Sequence, residues 1–208
     1  MTSGSAVRRR QEEAAAAARE YAQEQARRRS HRVWRVVAGS VVGVSAVALV
    51  TVGLLSARPA STSEARVAPD FTLTATDGSS VTLSDLRGEP VILYFNEGAG
   101  CDSCTVQMDA IEEHPGFAEA GIRVLPIVMS PADRMTADME RLGVSTPFLL
   151  DDGTVSGAYG TLDTGMHPGL PGHGFVLVDA DGTQLWQAAY PSMWLAPEDL
   201  LDEATSRL

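Results

Sequence analysis

Residues 90–114 read PVILYFNEGAGCDSCTVQMDAIEEH. The first six, Pro90 to Phe95, form an uninterrupted apolar run of the length and β-branched content of a strand buried on both faces. Gly98-Ala99-Gly100 then makes a glycine-rich loop, and Cys101 and Cys104 follow it. From Asp102 to about His114 the period changes to that of a helix, because Cys104, Met108 and Ile111 fall at i, i+4 and i+7 on one face. Strand, loop and cysteine pair at a helix start are the organising features of the chain.

Working outward, short β-prone runs at 71–75 and 81–83 flank Asp77-Gly78, a hairpin signal. Arg123 to Met129 (RVLPIVM) predicts a second buried strand, and Pro131 opens a helix reaching Leu142. Phe148 to Leu150 is a short strand. Asp151 to Gly160 holds turns with one helical turn, and its carboxylates lack calcium-loop spacing. Phe175 to Val178 and Thr183 to Ala188 flank Asp181-Gly182, a second hairpin, and Pro197 to Arg207 closes the chain as a helix. Trp186, Tyr190, Met193 and Trp194 read as core and its cover. The early strand–helix alternation predicts parallel pairing and the last hairpin antiparallel pairing. The fold class is therefore α/β, a central mixed β-sheet with helices on both faces.

The N-terminal quarter differs in character. Val36 to Leu55 (VVAGSVVGVSAVALVTVGLL) is twenty residues without a charge, enough to cross about 30 Å of hydrocarbon as a helix. It is longer than the apolar region of a cleaved signal and begins far from the N-terminus, so an uncleaved transmembrane helix is expected. Arg27, Arg28, Arg29, Arg32 and Arg35 crowd its N-terminal side, which places the N-terminus in the cytoplasm and residues 56–208 outside. The expected organisation is a cytoplasmic Arg/Ala-rich helical or disordered tail at 1–35, a membrane span at 36–55, a linker at 56–67 and an extracytoplasmic domain at 68–208. Residues 1–55 carry nine Arg against four Glu, whereas residues 56–208 carry seven Arg against 23 acidic residues, which argues against a nucleic-acid surface on the outer part.

Two cysteines three apart are too few for a disulfide scaffold and point to chemistry. The spacing puts them within one helical turn. Cys101 sits at the helix N-terminus, where free amides and the dipole favour a thiolate, and Cys104 shares the apolar face with Met108 and Ile111. That assigns Cys101 as nucleophile and Cys104 as resolving thiol. Asp102 between them opposes the thiolate and argues for a reductant. A zinc site would need two further ligands, and there is no second cysteine pair.

The motifs APDFTL (68–73), DG–VTLSDLRG–PVILYF (77–95), the dithiol helix and FVLVDADG (175–182) resemble the redoxin (AhpC/TSA-related) branch of the thioredoxin superfamily, over about two-thirds of the chain. The resemblance implies a thioredoxin fold with an N-terminal β-hairpin extension, and Cys101 as the attacking thiol. The expected activity is dithiol–disulfide exchange with client proteins and without an organic cofactor, and an upstream membrane electron donor is needed because thiols outside the cytoplasm tend to oxidise. The chain departs from the family in places. Peroxiredoxins carry a Pro and a Thr before the peroxidatic cysteine, whereas Asn96 to Gly100 holds neither, so peroxidase activity is not expected. Thioredoxin-like reductases carry a cis-Pro before the strand equivalent to 175–178. That position falls on or beside His173, making Pro171, Gly172 and His173 the candidate substrate-docking loop. A copper chaperone of the cytochrome-oxidase-assembly type is the alternative reading, with Cu(I) held by Cys101, Cys104 and His173, and Met166 and His167 as further donors.

Overall fold

The computed structural model describes Trp34, residues 38–53 and residues 60–208. Two units, Met1–Ser56 and Ala57–Leu208, are taken separately. In the first, residues 38–53 form a helix, α1. Residues 1–33 and 35 of the expected cytoplasmic tail, and positions 36, 37, 54 and 55 of the expected membrane span, lie outside the described residues. Among the described residues no helix is long and apolar enough to cross a membrane.

The second unit is a nine-stranded mixed sheet with helices on both faces. Its centre is β5 (Val91–Phe95), buried at every residue. β5 pairs in parallel with β6 (Arg123–Val128) and antiparallel with β8 (Gly174–Val178). On one side β8 continues antiparallel to β9 (Thr183–Ala189); on the other β6 continues parallel to β7 (Leu149–Leu150). The first hairpin, β3 (Thr72–Ala75) and β4 (Ser80–Thr82), attaches through β3 to β7. It turns at Gly78, whose φ of +83° suits glycine.

Side chains alternate across β5, so one strand serves two cores. Ile92 and Tyr94 pack with Met108 and Ile111 of α2 (Asp102–Glu112), Phe117 of α3 (Pro115–Glu119), Met135 of α4 (Ala132–Leu142) and Leu200 of α6 (Pro197–Thr205). Val91, Leu93 and Phe95 pack on the other face against Val155 of α5 (Thr154–Ala158), Tyr159 and Leu83 of a 3-10 turn, Leu83–Leu86. Asp151 starts α5 by accepting the amides of Val155 and Ser156 and the Ser156 hydroxyl.

Three details differ from expectation. The helix after the cysteines ends at Glu112 rather than about His114, and Pro115-Gly116 starts a new helix, because Pro115 stands in its first turn and the His114 ring caps it. Part of the 56–67 stretch read as a linker is paired: β1 (Ala60–Thr62) and β2 (Arg66–Val67) add antiparallel to β9, with Arg66 Nε donating to Gln184 Oε1. The free edge of β9 offers unpaired backbone groups, and a polar, Ser- and Thr-containing segment satisfies them without needing an apolar face. Of the C-terminal aromatic group, Trp186 and Tyr190 are core, whereas Trp194 is exposed.

Candidate active site

Strand β5 delivers the chain to the loop that carries the cysteines. Asn96 Oδ1 accepts the Gly98 amide, Ser130 Oγ accepts that of Ala99, and Asp138 Oδ2 accepts that of Gly100. Gly98 has φ +80°, and a Cβ there would meet Ser130 Oγ, so this turn needs glycine. Cys101 follows as the residue capping α2, its amide bonded to the Gly98 carbonyl at 3.0 Å. Cys101 and Cys104 are joined as a disulfide with Cα atoms 5.3 Å apart. Cys101 is half-buried, whereas Cys104 is fully enclosed. Any reagent therefore meets the Cys101 sulfur first.

The Cys101 side opens into a cleft of about 340 Å³ lined by Glu97, Ala99, Gly100, Cys101, Met166, His167 and Leu170. Glu97, whose side chain is 4% exposed, holds the opposite wall. One of its oxygens accepts the Met166 amide at 2.8 Å, and the other pairs with Nδ1 of His167, whose ring is largely exposed. The wall is close-packed: a Cβ on Gly165 would lie 2.6 Å from Glu97 Oε1. The wall loop closes on itself through the Gly172 amide to the Thr161 carbonyl and a bridge between Leu162 and Pro171.

Beneath Cys104 the surroundings are buried. The Tyr94 hydroxyl donates to the Cys104 carbonyl at 3.0 Å and lies 3.2 Å from Nδ1 of His173. A phenol has one hydrogen, so the imidazole must donate the second bond. That assigns the His173 proton to Nδ1 and leaves a lone pair on Nε2, which is buried with no hydrogen-bond partner among the described residues. Burial pushes the His173 pKa down to about 4, against the opposing pull of the Glu97 carboxylate. The ring is thus neutral at pH 7. Burial also raises the Tyr94 pKa well above the usual phenol value.

Of the residues singled out in the sequence, Cys101 and Cys104 lie together, and His173 reaches Cys104 through one hydroxyl. Met166 and His167 line the cleft on the Cys101 side, across from Ala99 and Gly100. Pro171 and Gly172 close the base of the same loop. His173 occupies the position before β8, and no peptide bond among the described residues is cis. No group of three or more His, Cys, Asp or Glu placed to hold a metal occurs among the described residues. Sequence reasoning missed Tyr94, Asp138 and Arg141. Tyr94 was concealed inside an apolar run, and the α4 residues carry no local signal.

A family model described as the AhpC/TSA family matches residues 65–184. The chain belongs to the AhpC/TSA family. Within the wider set of relatives, a protein of Mycobacterium tuberculosis assigned to the peroxiredoxins is 36% identical over 98 residues, 45% of this chain and 62% of that protein. The chloroplastic peroxiredoxin Q of Gentiana triflora is 28% identical over 145 residues, 69% of this chain and 65% of that protein. The chain thus spans less than two thirds of the length of either relative. In three dimensions the peroxidoxin BcpB of Mycobacterium tuberculosis superposes with a TM-score of 0.58 at 22% identity, covering 70% of this chain and 96% of that one. A secreted disulfide oxidoreductase of the same organism, homologous to Escherichia coli DsbE, superposes at 0.52 and 20% identity, covering 65% and 95%. These two likenesses establish the thioredoxin-like fold of this AhpC/TSA member.

Proposed function

We propose that this protein is a thiol–disulfide oxidoreductase that reduces disulfides of partner proteins with its Cys101–Cys104 pair. The observation that supports it is the asymmetry of the pair: one sulfur faces a cleft, the other is enclosed, and both stand at the first turn of α2. In the reduced state the Cys101 thiolate attacks a client sulfur, forming a mixed disulfide and expelling the other client sulfur, which takes up a proton. The Cys104 thiolate then attacks Cys101, closing the internal disulfide and releasing the second client thiol. Two electrons pass to the client, and the product form is the disulfide described above. An upstream dithiol donor restores the reduced form, and no organic cofactor enters the exchange. The reading includes anchorage by residues 36–55, with residues 56–208 outside the cytoplasm.

A second reading, hydroperoxide reduction by Cys101, is favoured by the peroxiredoxin names of the sequence relatives. The absence of a Pro and a Thr from Asn96 to Gly100 weighs against it. One set of assays separates these readings. The full-length protein, reduced and metal-free in detergent, is tested for insulin disulfide reduction, hydroperoxide consumption and Cu(I) uptake against a competing chelator. Insulin turnover lost in Cys101→Ser supports the proposal. Fast hydroperoxide consumption without insulin turnover transfers it to the second reading. Tight one-to-one Cu(I) binding with neither turnover replaces both with a metal carrier.

A further inference from the structure

Resting on the oxidoreductase reading, the geometry points to Arg141 and Asp138 of α4 as positioning residues for Cys101: Arg141 offsets the charge of Asp102, and Asp138, bonded to the same guanidinium, pins the peptide that precedes the attacking sulfur. Taken alone, a carboxylate next to Cys101 disfavours its thiolate. The fold answers with a cation from a distant helix. Arg141 grips both Asp102 oxygens, one through Nη1 at 3.1 Å and the other through Nη2. The same Nη2 reaches Asp138 Oδ1 at 2.8 Å.

The other oxygen of Asp138 turns to the loop. It accepts the Gly100 amide at 2.8 Å, one residue before Cys101. Gly100 has φ +96° and open space where a Cβ would be, so packing does not hold it. Its conformation rests on this bond and on the turn closed by the Cys101 amide and the Gly98 carbonyl. Asp138 is the least exposed of the three at 19%, against 47% for Arg141 and 62% for Asp102, so the loop contact is the sheltered part of the clamp. Hydrogen bonds from Arg141 hold both carboxyls below their usual pKa, so both are ionised wherever thiol exchange runs. Across the cleft lie Glu97 and His167, bonded to each other, and Arg134 also acts on Asp138.

Without Arg141, Asp102 loses its cation and Asp138 keeps only Arg134 at a distance, so the charge beside the attacking sulfur becomes more negative by one unit. The test is the alkylation rate of Cys101 in the reduced full-length protein at pH 7 and low salt, read by mass spectrometry. R141Q is expected to slow it by about threefold, the size of one unit charge acting across a solvated gap of several ångström. D102N/R141Q is expected to return to the wild-type rate. A wild-type rate in R141Q, or a double variant as slow as R141Q, overturns the charge assignment. For the loop contact, D138A and D138N remove the same charge, and D138A is expected to alkylate at no more than half the rate of D138N, which keeps an acceptor for Gly100. Equal rates in D138A and D138N overturn the pinning role. Thermal melts of all four variants separate these effects from loss of fold. Alkylation needs no client, so it tests the clamp even where insulin reduction, the test of the oxidoreductase reading, fails.

Discussion

The two sulfurs have neighbourhoods made of opposite materials. Beside Cys101, Asp102, Asp138 and Arg141 form charged hydrogen bonds at the protein surface. Beneath Cys104, Tyr94 and His173 are neutral, hydrogen-bonded to one another and 0% and 2% exposed. Surface charges are screened and each contributes little to stability, so that side adjusts reactivity at small cost to the fold. A buried polar group left without its partner costs far more, so the inner side fixes geometry. The half-buried sulfur is thus served by adjustable groups, and the enclosed one by rigid ones.

The comparison breaks first at the sulfurs themselves. Cys104→Ser is expected to abolish multiple turnover and to accumulate a mixed disulfide between Cys101 and a client, seen on a non-reducing gel. Cys101→Ser should trap nothing, because the remaining thiol is enclosed.

Next in size is a pH effect. The folded His173 pKa of about 4 lies below the unfolded value of about 6.5, so between these limits the unfolded chain binds the extra proton. Stability is complete above pH 6.5 and falls as pH drops towards 4, by about 3 kcal/mol for this one group. Urea titrations across that window should show the slope, and His173→Gln should flatten it. The depressed carboxylates Asp102 and Asp138 act lower, since their contribution is lost only as pH falls through their folded values, below the usual carboxylate range.

Tyr94→Phe removes the hydroxyl that serves both the Cys104 carbonyl and His173 Nδ1. Leaving the buried Nδ1–H of His173 without a partner is expected to destabilise by about 2 kcal/mol, measured as a shift in the urea midpoint. The smallest effect sharpens the contrast. In 1 M salt, where the screening length shrinks to about 3 Å, the slowing caused by Arg141→Gln should fall to less than half, while the His173-dependent slope persists.

Much of this arrangement is legible in the chain. Periodicity located β5, β6, β8, β9, α2, α4 and α6 within two residues at each end, since each buries an apolar face that its own sequence displays. The contrast between Cys101 and Cys104 followed from helical spacing alone, because three residues of a helix determine which side chain points inward. What was illegible depended on partners. The strands β1 and β2 are short and polar, and they are strands only because β9 has an edge to cover.

The sequence by itself determined the mixed α/β layout, the family, and the placing of a dithiol at a helix start. Tertiary structure alone decided the electrostatics around it. Asp102 reads in the sequence as a charge opposing the thiolate, and Arg141, 39 residues further on, takes that charge up. His173 reads as a loop histidine, and Tyr94, 79 residues earlier, assigns its proton. Periodicity reports which side of an element is buried. It carries nothing about which polar group from elsewhere in the chain arrives beside another, and Coulomb and hydrogen-bond energies depend on that separation, its angle and the surrounding dielectric.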